Sequence, residues 1–348
     1  MADESVDIII PVFNKAAITK GCLDSITANS DTPYRIILID NASGGETKRY
    51  LEAFAGAAGN VTLVRNGSNL GWVKSVNRGI GMSSSPYICI MNNDTVVRTP
   101  GWLAKLTAVA RDSDDIGLVN PCFDSISGAA IEKPYIEIDF CRGYCILVKR
   151  AVIEKVGALD EAYGMGYYDD DDLSVRAIHA GFRCVRANDV VVEHLKDSTF
   201  SDVFRDDARR RLHEENKRLF YSKWGRRLKI VFITTKASGR DSLKDALLLL
   251  ARRQHIIYLW NLSGPLGIKH TSIRERSFSR TFSTAIFAMA LLFNAMKREA
   301  KQYDLVFVDD PGLAARLSKD RPAVYYANAV SDAGKIVQIA DSAAKDTK

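Results

Sequence analysis

The first hundred residues alternate between short apolar runs and longer segments with apolar residues along one helical face. Four runs have the length and β-branched composition of buried strands: Val6–Ile10, Tyr34–Ile39, Val61–Val64 and Tyr87–Met91. The segments between them predict helices at Ala16–Asn29, Lys48–Ala57 and Trp72–Met82. This alternation indicates an α/β fold with a largely parallel, doubly wound sheet.

Two carboxylates follow strands of this predicted sheet. Asp40 comes at the end of the second strand, and Asp94 comes just after the fourth. In open α/β sheets, ligands bind outside the carboxyl ends of the strands. We therefore expect Asp40 and Asp94 to lie at one edge of the sheet.

The pattern is less regular between residues 101 and 225. Helices are predicted at Gly101–Arg111, Arg150–Val156, Leu173–Ala180 and Arg205–Trp224. Strands are predicted at Ile116–Val119, Tyr144–Val148, Cys184–Val185 and Val190–Val192. The stretch EAYGMGYYDDDD, which is rich in glycine, aromatic and acidic residues, leads into the third of these helices.

A second α/β pattern follows Gly225. Its predicted strands are Leu228–Thr234, His255–Trp260, Asp304–Val308 and Ala323–Tyr326, and its predicted helices are Ser242–Arg253, Phe282–Lys297 and Gly312–Leu317. We therefore predict two domains, at residues 1–225 and 226–348. The last twenty residues are polar and rich in alanine, and we expect them to be frayed.

The composition is that of a globular protein, with 348 residues, 47% hydrophobic and 26% charged, and a net charge of +6. A mildly basic chain suits anionic substrates, anionic lipid surfaces or nucleic acid. The N-terminal MADESVDIII does not resemble a signal peptide. The apolar run Phe282–Met296 is shorter than the roughly 20 residues that span a bilayer. We expect a cytoplasmic protein with free thiols.

The stretch IMNNDT carries a candidate metal site. Residues i and i+2 of an extended chain point to the same side, so Asn92 and Asp94 can face one ion. Mg²⁺ and Mn²⁺ prefer oxygen ligands and accept a few from protein when a diphosphate supplies the others. An ordinary turn is the alternative, because Asn-Asn-Asp also suits turns.

Four carboxylates, Asp169 to Asp172, precede the helix predicted at Leu173. Helix capping explains one or two of them. Crowded carboxylates raise one another's pKa, as a general base requires. His194 follows a predicted strand and is either structural or a metal ligand.

Glycines in RNGSNLGWVKSVNRGIG lie where a loop enters a helix. Asn69 and Gly71 are placed so that a phosphate or sugar could approach the backbone. An ordinary loop is the alternative. No G-x-G-x-x-G, P-loop, HExxH or G-x-S-x-G pattern occurs.

Taken in order, these stretches resemble family-2 glycosyltransferases of the GT-A fold, especially the rhamnosyl- and galactofuranosyl-type enzymes of bacterial polysaccharide assembly. The matching segments run from about Asp7 to Thr199: DIIIPVFN, ILIDNAS, RNGSNLGWVKSVNRGI, IMNNDT, VGALDEAYGMGYYDDDDLSVRAIHAGFRC and VVEHLKDST. The resemblance implies a nucleotide-diphospho-sugar transferase fold with a Rossmann-like mixed sheet.

The resemblance also implies roles for individual residues, in three groups. The donor sugar nucleotide would be bound by Pro11, Val12, Asn14, Asp40, Asn69, Gly71 and Asn93. Mn²⁺ or Mg²⁺ would be held by Asn92, Asp94 and His194. The catalytic acids would be Asp170 as base, Asp169 beside it and Asp172 orienting the acceptor. Two departures stand out, because Asn92 replaces a more usual acid and Asp169 replaces a glutamate.

The implied reaction is an inverting transfer of a hexosyl or deoxyhexosyl group. The donor would be a UDP- or dTDP-sugar, and the acceptor a hydroxyl of a glycan or lipid-linked glycan in bacterial-type cell-surface polysaccharide synthesis. We expect the basic surface to assist peripheral association at the inner face of the membrane, and we expect no nucleic-acid partner. Residues after 228 resemble the N-terminal half of a GT-B glycosyltransferase, either truncated or serving as a docking module.

Two other functions fit parts of the sequence. A sugar-phosphate nucleotidyltransferase also has acidic strand ends, but it usually has a glycine-rich basic loop that IIIPVFNKAA lacks. A non-catalytic scaffold that binds a membrane or nucleic acid would use the basic stretches at residues 209–211 and 225–227. Glu214 and Glu215 interrupt the first stretch, which favours a solvated helix face.

Overall fold

A computed structural model describes residues 5–123, 134–195, 206–235, 239–278, 287, 289–291, 302–318, 324–327 and 332–345. The chain divides into two compact units, Met1–Phe220 and Tyr221–Lys348. Each unit has an α/β architecture with its own sheet.

The first unit contains a mixed sheet flanked by helices. Its strands are β1 (Val6–Val12), β2 (Tyr34–Asp40), β3 (Val61–Arg65), β4 (Tyr87–Met91), β5 (Thr95–Val97), β6 (Ile116–Cys122), β7 (Tyr135–Ile138), β8 (Cys145–Lys149) and β9 (Arg183–His194). Its helices are α1 (Ala16–Asn29), α2 (Gly45–Ala57), α3 (Trp72–Met82), α4 (Trp102–Arg111), α5 (Arg150–Val156) and α6 (Asp169–His179). Helix α7 (Asp206–Trp224) runs across the division between the units.

Strand order determines which loops meet. The nine strands follow the order β3-β2-β1-β4-β8-β6-β9-β5, with β7 paired to β9. Strands β1 to β4 are mutually parallel where they pair, so their carboxyl ends share one edge. Asp40 and the segment after Met91 lie at this edge, as predicted.

Strand β8 brings a distant segment to the same edge. It runs antiparallel to β4, and Cys145 at its start pairs with Met91 at the end of β4. Residues just before Cys145 therefore lie beside Asn92. Strand β9, which comes later in the strand order, ends where His194 pairs with Thr95 of β5.

The sequence-based prediction of a largely parallel sheet holds for β1 to β4 and for the pair β6–β9. Strand β8 is antiparallel to both of its neighbours, and β5 and β7 are antiparallel to β9. Strands β5 and β7 were not predicted, and one strand, β9, replaces the two predicted near Cys184 and Val190. Helix α6 begins at Asp169 rather than Leu173, so all four acids lie in its first turn.

The second unit is a fully parallel five-stranded sheet in the order β12-β11-β10-β13-β14. The strands are β10 (Lys229–Thr234), β11 (Ile256–Asn261), β12 (Ile273–Ser277), β13 (Leu305–Val308) and β14 (Val324–Tyr326), with helices α8 (Arg240–Arg252), α9 (Pro311–Leu317) and α10 (Ala333–Lys345). The predicted helix Phe282–Lys297 lies largely outside the described residues. None of the helices in the described ranges is long and apolar enough to cross a bilayer.

The prediction of a frayed C-terminal end is wrong. Helix α10 buries Ile336 and Ala340 in the same apolar cluster as Leu247 and Leu250 of α8. The small alanine side chains of α10 allow this helix to pack closely in the cluster. The alanine-rich composition therefore reflects a buried helix face rather than disorder.

A buried carboxylate secures the opposite edge of the first unit's sheet. Asp7 accepts hydrogen bonds from Arg35 at 2.9 and 2.8 Å and from Ser83 Oγ at 2.7 Å. The amides of Ser84 and Ser85 also donate to it. Burial would raise the pKa of Asp7, but these donors outweigh it and lower the pKa to about 2. Asp7 thereby joins β1, β2 and the loop before β4.

We predict that Asp7→Asn lowers the free energy of unfolding by about 2 kcal/mol at neutral pH, because the Arg35 guanidinium loses its buried partner. The folded pKa lies below the ordinary 3.8, so the stabilisation is complete above about pH 4 and is lost as the pH falls through about 2. Urea unfolding between pH 5 and pH 2 should show a smaller pH dependence in the variant.

Asp24→Asn is the matched control, because Asp24 pairs with Lys20 on an exposed helix face. Such exposed pairs contribute about 0.5 kcal/mol or less. Equal effects of the two substitutions would contradict the role assigned to Asp7.

Candidate active site

The loops that follow β1 and β2 are fastened to each other through Asn14. Asn14 and Lys15 have left-handed backbones, with φ of 56° and 62°. Asn14 Oδ1 accepts a hydrogen bond from the Gly44 amide at 2.8 Å, and the Asn14 amide donates to Ser43 Oγ at 2.9 Å. Of the other predicted donor residues, Pro11 and Val12 are buried in the last part of β1. Pro11 and Val12 therefore contribute mainly backbone atoms to this edge of the sheet.

Asp40 is paired with a cation that the sequence analysis did not single out. Arg65 Nη1 forms an ion pair with Asp40 Oδ2, and Arg65 Nη2 donates to the Ser43 carbonyl at 2.8 Å. The Ser43 amide donates to Asp40 Oδ1 at 2.8 Å. Register explains the pair, because Asp40 and Arg65 are direct partners in parallel strands. A ligand at this edge meets a balanced ion pair rather than an isolated carboxylate.

The loop before α3 is held by amide side chains. Asn41 Oδ1 accepts from the Leu70 amide at 3.1 Å, and Asn41 Nδ2 donates to the Gly71 carbonyl at 3.1 Å. Asn69 Oδ1 accepts from the Gly71 amide at 2.9 Å. Asn69 and Gly71 are therefore placed at the same edge as Asp40.

Gly71 is required by a close approach between two loops. Its φ is 82°, and an added Cβ would lie 2.6 Å from Met165 Sδ and 3.3 Å from Met165 Cα. Met165 belongs to the loop that leads to the four acids. The loop before α3 thus packs directly against the acidic loop.

Asp94, Asn92 and His194 meet at one imidazole nitrogen. His194 Nε2 lies 3.2 Å from Asp94 Oδ1 and 3.2 Å from the side-chain Nδ2 of Asn92. The pairing of β5 with β9 brings His194 here from a hundred residues away in sequence. Asn93 instead turns inward, and its amide donates to Thr19 Oγ1 at 2.9 Å. The three predicted metal ligands are brought together, and Asn93 is directed to the core.

One dipeptide joins this cluster to the acids of α6. The Tyr144 carbonyl accepts from the Asn92 amide at 2.9 Å, and the Tyr144 ring stacks on His194 with centroids 5.5 Å apart. The preceding Gly143 amide donates to Asp170 Oδ2 at 2.7 Å. Asp170 and the cluster around His194 therefore contact the same dipeptide, Gly143–Tyr144.

Asp169 and Asp170 have different surroundings. Asp169 is 4% exposed, and the Trp72 indole donates to its Oδ2 at 2.9 Å. Burial, together with the charge of Asp170, raises the pKa of Asp169 to about 8. Burial also raises the pKa of Asp170, while the amides of Gly143 and Asp171 oppose that rise. The pair is therefore suited to share one proton near neutral pH.

Asp172 is fully buried in the same helical turn but has partners of its own. It accepts from Arg176 Nε at 2.7 Å and from the Tyr163 hydroxyl at 3.3 Å. Arg176 also donates to the Val156 and Ala158 carbonyls. These contacts tie α6 to the segment after α5, so Asp172 helps to fix the position of the acidic loop that precedes α6.

Helix α7 holds the acidic loop through one buried amide. Asn216 is 6% exposed, and its Nδ2 donates to the carbonyls of Tyr163, Gly166 and Tyr167 at 2.9, 2.7 and 3.3 Å. The sequence analysis missed this residue. In the sequence, Asn216 is recognisable because it lies between Leu212 and Phe220 on the apolar face of an otherwise charged helix.

An open cavity of about 530 Å³ lies between the starts of α1 and α2. It is lined by Asn14–Ile18 and Gly44–Thr47. Since Asn14 and Gly44 also fasten the two loops together, this cavity borders the same edge of the sheet from its outer side.

The cluster around His194 has a donor set that fits a divalent cation. A carboxylate and an imidazole suit Mn²⁺ or Mg²⁺ when substrate oxygens complete the coordination. Asn92 can add its side-chain oxygen only if its carboxamide rotates, because Nδ2 is the atom that faces His194. Within the described ranges, no group of three or more His, Cys, Asp or Glu side chains is arranged to hold a metal. The fit therefore depends on Asn92 as the third ligand.

Comparison with known proteins gives matches to the part of the chain that contains most residues of this edge. Residues 7–157 match the family model described as Glycosyl transferase family 2. A PGL/p-HBAD biosynthesis glycosyltransferase of Mycobacterium tuberculosis is 27% identical over 119 residues, covering 34% of this chain and 46% of that protein. Glycosyltransferase AglE of Haloferax volcanii is 23% identical over 204 residues, covering 54% of this chain and 66% of that protein. The chain thus spans about half to two thirds of the length of these relatives.

A solved structure supports the fold. The crystal structure of GalNAc-T7 with UDP, GalNAc and Mn²⁺ gives a TM-score of 0.50 at 15% identity, covering 56% of this chain and 44% of that chain. The mixed α/β fold is similar to that of GT-A enzymes, as predicted from sequence.

We predict that Asp169→Asn makes the protein more stable at pH 8. The pKa of Asp169 is raised from 3.8 to about 8, so its contribution to stability is fully present below pH 4 and is lost as the pH rises through 8. Asparagine stays neutral, and its side-chain oxygen can still accept from Trp72. We expect a gain of at least about 1 kcal/mol at pH 8, a smaller gain at pH 5 and little change below pH 4.

Urea unfolding of the full chain at pH 5 and pH 8 measures this difference. Asp171→Asn removes a carboxylate from the same helical turn and is the matched control. A wild-type stability that does not fall between pH 5 and pH 8, relative to Asp169→Asn, would contradict the shifted pKa.

Proposed function

We propose that the N-terminal unit, whose residues 7–157 belong to glycosyl transferase family 2, transfers a sugar from a nucleoside-diphosphate sugar with inversion. The observation that carries the proposal is the contact of Gly143–Tyr144 with both Asp170 and the Asp94–His194 cluster. A leaving diphosphate and an attacking hydroxyl need to lie side by side, and the contact of both groups with one dipeptide supports such an arrangement.

Asp170 is the proposed general base. Its two oxygens accept from the amides of Gly143 and Asp171, which orient the carboxylate. An ionised carboxylate has about four acceptor positions, so further positions remain for a substrate hydroxyl. Asp170 would take the proton of that hydroxyl as its oxygen attacks the anomeric carbon and the nucleoside diphosphate departs.

Asp169 supports this role by holding the proton of the pair. It is more buried than Asp170, and its contact with Trp72 can be kept in the neutral form. Because adjacent carboxylates repel each other, a protonated Asp169 leaves the negative charge on Asp170. The base is thereby kept ionised close to neutral pH.

Asp94, His194 and Asn92 are the proposed ligands of Mn²⁺ or Mg²⁺. When bound, the cation neutralises charge that develops on the leaving diphosphate, a contribution of several kcal/mol. Tyr144 restrains the imidazole by stacking, and its hydroxyl is fixed by a 2.7 Å hydrogen bond to the Pro121 carbonyl.

The donor nucleotide is proposed to lie along Pro11, Val12, Asn14, Asp40, Asn69 and Gly71. Arg65 joins this group through its ion pair with Asp40. UDP- and dTDP-sugars are the proposed donors, and the UDP and Mn²⁺ bound to GalNAc-T7 make that pair the first probe. A glycan or lipid-linked glycan of bacterial-type cell-surface polysaccharide synthesis is the proposed acceptor, met at the inner face of a membrane. For residues 226–348, resemblance to part of a GT-B enzyme stays a prediction.

A donor panel tests the activity directly. UDP- and dTDP-sugars are incubated with candidate acceptors, with and without Mn²⁺, and release of nucleoside diphosphate is measured. Metal-stimulated release that depends on the acceptor supports the proposal. Release of pyrophosphate from sugar phosphate and nucleoside triphosphate would replace it with nucleotidyl transfer.

We predict that Asp170→Asn reduces transfer at least about 100-fold, the scale of general base catalysis. Its affinity for UDP with Mn²⁺, measured by calorimetry, should stay within about twofold of wild type, because the base acts on the acceptor. Asp171→Asn is the control with the same change in charge one residue away. Near-normal turnover of Asp170→Asn would remove Asp170 as the base.

We also predict that Asn92→Asp tightens Mn²⁺ binding about 10-fold, because a carboxylate replaces a neutral ligand. Asp94→Asn should act in the opposite direction. Titration of free Mn²⁺ by electron paramagnetic resonance measures both without requiring turnover. Unchanged Mn²⁺ affinity in both variants would exclude this cluster as the metal site.

A further inference from the structure

Arg142 precedes the dipeptide that joins the two halves of the site, and its backbone is fixed. The Arg142 amide donates to Asn120 Oδ1 at 2.6 Å, and Asn120 Nδ2 donates back to the Arg142 carbonyl at 3.1 Å. Asn120 is 3% exposed and lies in β6. This reciprocal pair of hydrogen bonds sets the direction in which the Arg142 side chain leaves the backbone.

The Arg142 guanidinium is exposed and lies over an aromatic ring. Its central carbon is 5.3 Å from the centroid of the Phe123 ring. Stacking of this kind restrains the guanidinium plane but leaves its N–H groups pointing outward at the edge. Arg142 is thus ordered without its hydrogen-bond donors being used by the ring.

Several arginines of this unit have carboxylate partners, whereas Arg142 forms no ion pair with a carboxylate among the residues that the structure describes. The paired arginines are Arg35 with Asp7, Arg65 with Asp40, Arg98 with Glu193, Arg176 with Asp172 and Arg183 with Asp115. Burial raises the pKa of Asp170 and of Tyr144, and the positive charge of Arg142 opposes both rises. Its field therefore acts on the groups of the candidate site.

We propose that Arg142 binds a phosphate group of a substrate beside Asp170. The inference rests on the proposed function and adds to it a cation that the protein itself supplies. Asn92 would hold a divalent ion less strongly than a carboxylate would, so a diphosphate bound here would benefit from a second source of positive charge. A planar guanidinium on a fixed backbone suits phosphate oxygens, which it can contact through two N–H groups.

The phosphate can belong to the donor nucleotide or to a lipid-linked acceptor. Both present the same oxygens, so binding experiments must separate them. Arg142→Gln removes the charge and keeps a polar side chain, and Arg142→Lys keeps the charge but loses the paired N–H groups. Arg111→Gln is the matched control, because Arg111 is exposed at the end of α4, before the opposite end of β6.

Calorimetry with the full chain first measures UDP, dTDP and uridine, each with and without Mn²⁺. For a donor phosphate, Arg142→Gln weakens UDP binding about 10-fold, Arg142→Lys less, and uridine binding is unchanged. The loss should be larger without Mn²⁺.

Vesicles of neutral phosphatidylcholine with and without a polyprenyl phosphate form the second arm. If Arg142→Gln loses binding only to the vesicles that contain polyprenyl phosphate, the phosphate belongs to the acceptor.

The outcomes separate this inference from the proposed function. If the wild type binds the probes and Arg142→Gln binds them equally in both arms, Arg142 does not recognise phosphate, and the glycosyltransferase proposal stands. If Arg111→Gln weakens binding as much as Arg142→Gln, the effect is one of net charge, and the specific role is overturned. If the wild type binds no nucleotide or polyprenyl phosphate, both proposals fail.

Discussion

The hydrogen bond from the Gly143 amide to Asp170 is the interaction on which the geometry of the site depends. Gly143 lies just before β8, the strand that runs antiparallel to β4, so it necessarily lies beside the end of β4. A side chain at this position would crowd Asp170, because an added Cβ would lie 3.2 Å from Asp170 Oδ2. The reversal of one strand in an otherwise parallel half-sheet thereby converts two distant acidic stretches into neighbours.

Amide side chains, rather than charges, hold the loops around these acids. Asn14, Asn41, Asn120 and Asn216 each bond to backbone groups of a loop that belongs to another element. A carboxamide can donate and accept simultaneously without adding charge. Loops near a buried acid pair can then be fixed without changing the field at Asp169 and Asp170, which a lysine or aspartate in the same place would do.

Sequence reasoning located the strands and the candidate site residues, but not which side chains contact one another. Periodicity predicted α1, α3 and β4 with the bounds that the structure shows, and the strand-end rule placed Asp40 and Asp94 at one edge. The Asp40–Arg65 pair was within reach, since both residues end adjacent strands. The contact of Trp72 with Asp169 joins residues 97 positions apart, and no local pattern encodes it. Asn92, Asp94 and His194 were grouped by family resemblance, and the register of β9 is what brings them together.

The acid pair is difficult to explain as a structural feature. Folding gains nothing from burying a carboxyl whose pKa rises to about 8, because ionisation near neutral pH then opposes the folded state. Asp172, three residues away, shows the structural solution, with a direct arginine partner. Asp169 has an indole donor instead, which orients the carboxyl but does not cancel its charge. Among the described residues, arginines pair with Asp7, Asp40 and Asp172, whereas neither Asp169 nor Asp170 forms an ion pair. This contrast supports the proposal that the acid pair takes part in proton transfer.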